Sequence, residues 1–292
     1  MNAKNIKQTG ILYIVPTPIG NLNDISYRAI NILQHVDLIA AENIFHSQIL
    51  LKHYNILTRT TSLNKDNEKI KSKTLIIQLK NKKNIALISN SGTPLINDPG
   101  FYLINECYNH IIKIVPIPGP CAAITALIAS GLPANRFCYE GFLPSKQNSR
   151  CKILNQIKEE QRTIIFFEVT HRIIESITDI INILGPKRII TFAKELTKKW
   201  EIIQKNTSYN ILIWLKQNYT YKKGEIVIII SGYNNKNTNL ISDAVLKTLK
   251  ILKTHLSFNK AIKITAGIYK LPKNYLYNYA INNTISKNND IH

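Results

Sequence analysis

Seven side chains able to take or give a proton stand where apolar runs of this chain give way to loops. Glu42 and His46 follow one run and Asp98 another; Glu168 and His171 close a third, and Lys194 and Glu195 a fourth. Carboxylates, imidazoles and amines in such places can serve acid–base chemistry. A pair such as His171 and Arg172 at a helix start serves equally well as a solvated cap. Between them lie three loops dense in proline and glycine: PTPIGN at 16–21, SGTPLINDPG at 91–100 and PIPGP at 116–120. Gly92 lets a main chain approach a ligand closely, and Pro94 and Pro99 leave little ordering entropy to be lost on binding. A tight structural turn is the competing reading of the same residues.

The elements that must hold these loops are short and apolar. Ile11 to Val15, about Val36 to Ala40, Ile85 to Ile88 and Ile111 to Ile117 read as strands, and the first, third and fourth run directly into the three loops. Helices alternate with them: one capped by Asp24, one through Ile49 to Leu51, one around Leu75 to Leu79, and Phe101 to His110. This alternation predicts an α/β fold with a parallel sheet covered on both faces. Loops at the carboxyl edge of such a sheet converge and can line one pocket. Ala122, Ala123, Ala126 and Ala129 then suit a helix packed closely against a neighbour, ended by Gly131 and Pro133.

A second unit follows, with strands over Phe137 to Phe142, Thr163 to Phe167, Arg188 to Ala193, Glu201 to Gln204 and Glu225 to Ser231. Its helices are Ser149 to Glu160, Thr170 to Leu184 and Tyr209 to Gln217. The sequence thus divides into 1–118, 119–235 and a tail at 240–292. In the tail Ser242 caps a helix bearing Ala244, Leu246, Leu249 and Leu252, followed by helical stretches at about Lys260 to Tyr269 and Lys273 to Ile281. Eight lysines against two aspartates make it basic, compatible with a helix-turn-helix module or with a packing appendage.

Composition bounds the function. The 38 basic and 18 acidic side chains leave +20, a field that draws polyanions such as nucleic acid. The abundance of Lys, Asn and Ile is also what AT-rich coding would supply. No run approaches the roughly 18 apolar residues of a membrane span, and the start MNAKNIKQTG is polar, so a cytoplasmic protein with no cleaved signal is expected. Cys107, Cys121, Cys138 and Cys151 are far apart and show no metal-ligand spacing, so reduced thiols and no metal are expected. Neither G-x-G-x-x-G nor a phosphate loop ending in Gly-Lys-Ser/Thr is present. Proline-stiffened, nearly uncharged loops suit a cofactor with an adenosine, a zwitterionic amino acid and no phosphate, and S-adenosyl-L-methionine is such a molecule.

The stretches LYIVPTPIGNLNDIS, NIALISNSGTPLINDPG, IVPIPGPCAAITAL, GLPANRFCYEGFLP, FFEVTHRI and KELTKKWE, in this order and over nearly the whole chain, resemble the ribosomal RNA small-subunit methyltransferase I family. That resemblance implies the tetrapyrrole methylase fold: two α/β domains with the cofactor in the cleft between them, the second with a mixed sheet, in a homodimer. It implies S-adenosylmethionine-dependent methylation of the ribose 2′-oxygen of a cytidine in the decoding region of bacterial 16S rRNA. Carried over, the cofactor residues are Pro18, Gly20, Asn21, Gly92, Thr93, Pro94, Ile96, Gly119, Cys121, Ala122, Ala123 and Phe167. Glu42, His46, Asp98, Glu168, His171, Lys194 and Glu195 are the candidates to take the proton or orient the hydroxyl; Arg172, Lys260, Lys263 and Lys273 are candidates for RNA phosphates.

The chain departs from the family pattern at two places. Glu42, Asn43, Ile44 and Phe45 stand where the family reads Glu-Asp-Thr-Arg, and Ser89, Asn90, Ser91 and Gly92 where it reads Ser-Asp-Ala-Gly. An amide keeps the size of a carboxylate but accepts no proton at neutral pH. Positioning alone supplies roughly 7–11 kcal/mol of such a barrier and a general base about 3–5 kcal/mol, so transfer without a base at these positions is slow but feasible. The alternatives are a ribosome-binding homologue without catalysis and a methylase of a small tetrapyrrole-like molecule.

Overall fold

The computed structural model describes residues 9–218, 224–233, 241 and 243–288. Met1–Tyr233 forms one compact unit and Asn234–His292 another.

The first half of the larger unit alternates strand and helix: β1 (Ile11–Ile14), α1 (Tyr27–His35), β2 (Leu38–Ala41), α2 (Ile44–His53), β3 (Thr60–Ser62), α3 (Glu68–Lys80), β4 (Ile85–Ile88), α4 (Phe101–Asn109) and β5 (Lys113–Pro116). The five strands form a sheet in the order β3-β2-β4-β1-β5, every pairing parallel. β4 is buried on both faces, as its unbroken IALI run requires. One face packs Leu33, Leu50 and Leu51 of α1 and α2 against Ile39 and Ile88; the other packs Leu75, Leu79 and Leu103 of α3 and α4 against Leu12 and Leu87. Because all five strands are parallel, their carboxyl ends share one edge.

Some boundaries move from those read in the sequence, each for a local reason. Ser26, not Asp24, caps α1: its Oγ accepts from the Ala29 N–H at 3.1 Å, while Asp24 lies in a 3-10 turn (Leu22–Asp24) opened by Asn21. Val36 ends α1, so β2 begins at Leu38. Ile111, at φ 54°, turns the chain before β5. β3 is too short and polar to announce itself.

The second half contributes α5 (Ala122–Ala129), β6 (Phe137–Phe142), α6 (Gln147–Gln156), β7 (Thr163–Val169), α7 (Ile173–Leu184), β8 (Ile189–Lys194), β9 (Ile202–Thr207), α8 (Ser208–Gln217) and β10 (Glu225–Ile230). Its sheet is ordered β6-β7-β10-β8-β9, with β6 and β7 parallel and the other pairs antiparallel. α6, α7 and α8 cover one face through Leu154, Ile177, Ile180 and Ile211. The other face receives α5, whose Ala123 and Ala126 allow close approach to Ile165, Val227 and Ile229. Ile19, from the loop after β1, joins the same cluster.

In the smaller unit α9 (Asp243–His255), α10 (Phe258–Ile268) and α11 (Lys273–Asn288) share a core of Val245, Leu249, Ala261, Ile262, Leu276 and Ala280. Lys260, Lys263 and Lys273 are exposed. The expected cap, Ser242, lies outside the described residues.

Candidate active site

Three loops leave the carboxyl edge of the first sheet and are tied to one another. Thr17 and Gly92 exchange main-chain hydrogen bonds, N–H to O at 2.9 and 3.0 Å. The Thr93 hydroxyl donates to the Pro120 carbonyl at 2.8 Å, and Gly119 lies against Pro16, where a Cβ would come within 2.7 Å of the proline ring. Gly92 needs its missing side chain twice over: its φ is +78°, and a Cβ there would stand 3.2 Å from Ile19. Leu95 and Asn97 also adopt left-handed backbone, at φ 73° and 72°. Two strained residues in one loop, held by packing, are the pattern of a ligand-shaping segment.

The second sheet closes the space. The end of β7, the turn beyond β8 and the start of β10 bring Phe167, Leu196 and Ile226 to a cavity of about 440 Å³, which Gly92, Thr93 and Ile96 also line. Phe167 is braced edge-on by Tyr139 and Phe142, with ring centroids 5.1 and 5.5 Å away. A bulge in β6 brings Gly141 against Asn97. A second cavity of about 350 Å³ adjoins the first, between the 17–22 loop and α2, and the two share Ile19, Asn90, Ser91 and Glu225.

Of the residues singled out for a cofactor, Gly92, Thr93, Ile96, Cys121, Ala122 and Phe167 line the first cavity, and Pro18 and Gly20 the second. Asn21, Pro94, Gly119 and Ala123 line neither. Asn21 opens the 3-10 turn, its N–H donating to Thr197 Oγ1 at 3.1 Å, and Ala123 is spent on the α5 packing.

The proton-active candidates separate by environment. Glu42, Asp98 and Glu168 line the first cavity and His46 the second; His171, Lys194 and Glu195 line neither. Glu168 is fully occupied: its side chain is buried, Oε1 accepts from the Val169 N–H and the Arg172 guanidinium, and Oε2 accepts from Ser176 at 2.6 Å. The Arg172 guanidinium, a phosphate candidate in the sequence, donates here to Glu168 Oε1 and to the Leu143 carbonyl. Burial pushes Glu195 up, but the Glu225 N–H and Lys198 outweigh it and hold its carboxyl below the usual range. Lys194 is buried in the last position of β8.

Asp98 stands apart. Burial and, after it, the nearby charge of Glu42 push its carboxyl up to about 6, against partial relief from the Ser89 hydroxyl and Lys65. Glu42 meanwhile accepts from the Asn90 N–H at 3.1 Å, fixing the start of the loop. Two carboxylates turned into a half-apolar cavity make a site for a cation. Asn43 acts as the N-cap of α2, its Oδ1 accepting from the His46 N–H at 3.2 Å, a duty asparagine performs as well as aspartate.

The start of β10 carries no site signal in the sequence, because ligand loops are expected at the carboxyl ends of strands. β10 runs antiparallel to β7 and β8, so its beginning lies at the edge where they end. Lys65 escaped because it follows the unrecognised β3.

Residues 11–211 match the family model described as Tetrapyrrole (Corrin/Porphyrin) Methylases. The chain belongs to the tetrapyrrole methylase family. Among curated relatives, it is 55% identical to the ribosomal RNA small subunit methyltransferase I of Buchnera aphidicola subsp. Schizaphis graminum, over 96% of this chain and 98% of that protein. It is 49% identical to the protein of that name from Escherichia coli O157:H7, over 93% and 95%. Solved structures share the fold at 14% identity. They include uroporphyrin-III-C-methyltransferase from Thermus thermophilus (TM-score 0.52, covering 76% of this chain and 94% of that one). The methyltransferase CobJ is another (TM-score 0.57, 77% and 95%). Among the described residues no three or more His, Cys, Asp or Glu side chains gather as a metal site, and no helix is long and apolar enough to cross a membrane.

Proposed function

We propose that this protein uses S-adenosyl-L-methionine to methylate the ribose 2′-oxygen of a cytidine in the decoding region of bacterial 16S rRNA, as a cytoplasmic homodimer. The observation that carries the reading is the cavity holding Asp98 and Glu42 between the three tied loops, in a chain so similar to relatives bearing an rRNA methyltransferase name. The domain division that goes with it is 1–118, 119–235 and the tail.

The residues fit the cofactor. Asp98 and Glu42 present negative charge to a ligand that carries a sulfonium and an ammonium, and the ionised pair is relieved when a cation enters. Phe167, Ile96 and Leu196 supply apolar surface for an adenosine, and the Gly92–Thr93 main chain, free of a Cβ at its first residue, lets the ligand approach. When bound, the cofactor supplies a methyl group on positively charged sulfur. The chain supplies position: Gly92 and Thr17 lock two loops, Thr93 locks the third, and Glu42 holds Asn90 where the two cavities meet. Lys260, Lys263 and Lys273 offer exposed charge for RNA phosphates.

The test is methyl transfer from labelled S-adenosylmethionine to small ribosomal subunits from cells lacking this protein, with mass mapping of the 16S rRNA. A single new ribose methyl group on a cytidine is expected. Cofactor binding by calorimetry with no transfer to subunits would refute the substrate, and no binding would refute the cofactor.

A further inference from the structure

The second cavity is left over once a cofactor is assigned to the first. Thr17, Ser47 and Ser91 line it beside the aliphatic Leu22 and Leu50, with the Thr17 and Ser47 hydroxyls donating to the Ser89 and Asn43 carbonyls. His46 lines it too, and among the described residues no hydrogen-bond or ion-pair partner holds its imidazole. At about 350 Å³, with small polar and aliphatic residues on its walls, the space matches one nucleoside rather than a stacked run of RNA. A nucleotide reaches such a chamber only by leaving its stack. The walls shared with the first cavity put that nucleoside beside the methyl donor's site.

We propose that the second cavity is the acceptor subsite, where one extruded nucleoside sits and the His46 imidazole takes the proton of the hydroxyl being methylated. This rests on reading the first cavity as the site of S-adenosylmethionine. As the new O–C bond forms, the hydroxyl O–H bond breaks and its proton passes to the unprotonated ring nitrogen of His46. The electron pair of the broken C–S bond stays on sulfur, and the imidazolium then gives its proton to water. The other charged groups are committed. Lys198 and Glu225, which line the same cavity as His46, are paired with each other at 2.8 Å, and Glu195 shares the same ammonium. Glu42, just before α2, and Asp98 belong to the adjoining cavity, where their negative charge is needed against a cation.

Two measurements on the full-length protein test this. Carbethoxylation by diethyl pyrocarbonate, read by peptide mass mapping against exposed His110 as reference, should modify His46 freely. S-adenosylmethionine alone should leave that rate unchanged, and unmethylated small subunits should slow it at least about tenfold. In single-turnover assays His46→Ala should slow methyl transfer about 10²–10⁴-fold, with donor affinity within about twofold by calorimetry. It should also abolish the rise of rate with pH that imidazole deprotonation produces, and added free imidazole should restore part of the rate. Normal donor binding with His46 unshielded by subunits, or with His46→Ala at the wild-type rate and pH profile, overturns the acceptor subsite alone. A wild-type protein that fails to bind the donor overturns the donor reading and this proposal with it.

Discussion

Asp98→Asn should make the ligand-free protein more stable and the cofactor complex weaker. In the empty cavity burial and Glu42 push Asp98 from an ordinary 3.8 to about 6. At about 1.4 kcal/mol per pKa unit that shift corresponds to roughly 3 kcal/mol, and because the side chain is still partly open to water, on the order of 1–2 kcal/mol survives. A raised folded-state pKa means that folding favours the protonated acid: the contribution is complete below 3.8 and is lost as pH rises through about 6. At pH 7.5 the ionised carboxylate therefore opposes folding, and asparagine, of the same size and without the charge, relieves it. The variant should melt about 2–6 °C above wild type at pH 7.5, and the advantage should shrink as pH falls from about 6 towards 3.8. Its affinity for S-adenosylmethionine should fall at least about tenfold, because one of the two carboxylates facing the cation is gone. Wild-type affinity should likewise decline as the solution is taken below about pH 6. Thermal melts at several pH values and calorimetric titrations measure both effects. A variant less stable than wild type at pH 7.5, or one binding the cofactor equally well, would refute the reasoning.

Three further outcomes are expected. Asp179→Ala removes the buried ion-pair partner of the Arg150 guanidinium, now at 2.7 Å with both side chains almost fully enclosed, and leaves it only the exposed Glu175 at 3.6 Å and the Pro144 and Ser145 carbonyls. It should cost about 3–5 kcal/mol in urea denaturation and leave cofactor affinity unchanged, since neither residue lines a cavity. Gly92→Ala and Gly185→Ala both force alanine into left-handed backbone, at φ +78° and +95°, for about 1–2 kcal/mol each; only the first should weaken cofactor binding, because only Gly92 lines the cavity. Replacing Lys260 and Lys263 by alanine should flatten the log–log salt dependence of subunit binding by roughly one for each phosphate that a lysine no longer neutralises, as read by filter binding.

Much of this protein was legible before its structure. The buried IALI strand, the breaker loop after it and the matching loops after β1 and β5 are local features, and strand–helix alternation makes their convergence nearly obligatory. Pro18, Thr93 and Gly119 were read as neighbours, and Thr17–Gly92, Thr93–Pro120 and Gly119–Pro16 contacts join their loops. The alanine-rich helix was read as close-packed, and Ala123 and Ala126 lie on the second sheet.

What the sequence could not rank was its seven acid–base candidates, since charge type and position at a strand end are the same for all of them. Only packing distinguished Glu168, consumed by Arg172 and Ser176 eight residues or fewer away, from Asp98, left facing Glu42 across a cavity. Strand direction likewise belongs to the sheet and not to the strand: nothing within EIVIII states that it runs against its neighbours, so the contribution of Glu225 and Ile226 waited on the pairing. Local chemistry decided which loops could bind. Which side chains remain free to act was decided by long-range burial and partnering, because a proton-active group works only where the fold leaves its charge unsatisfied.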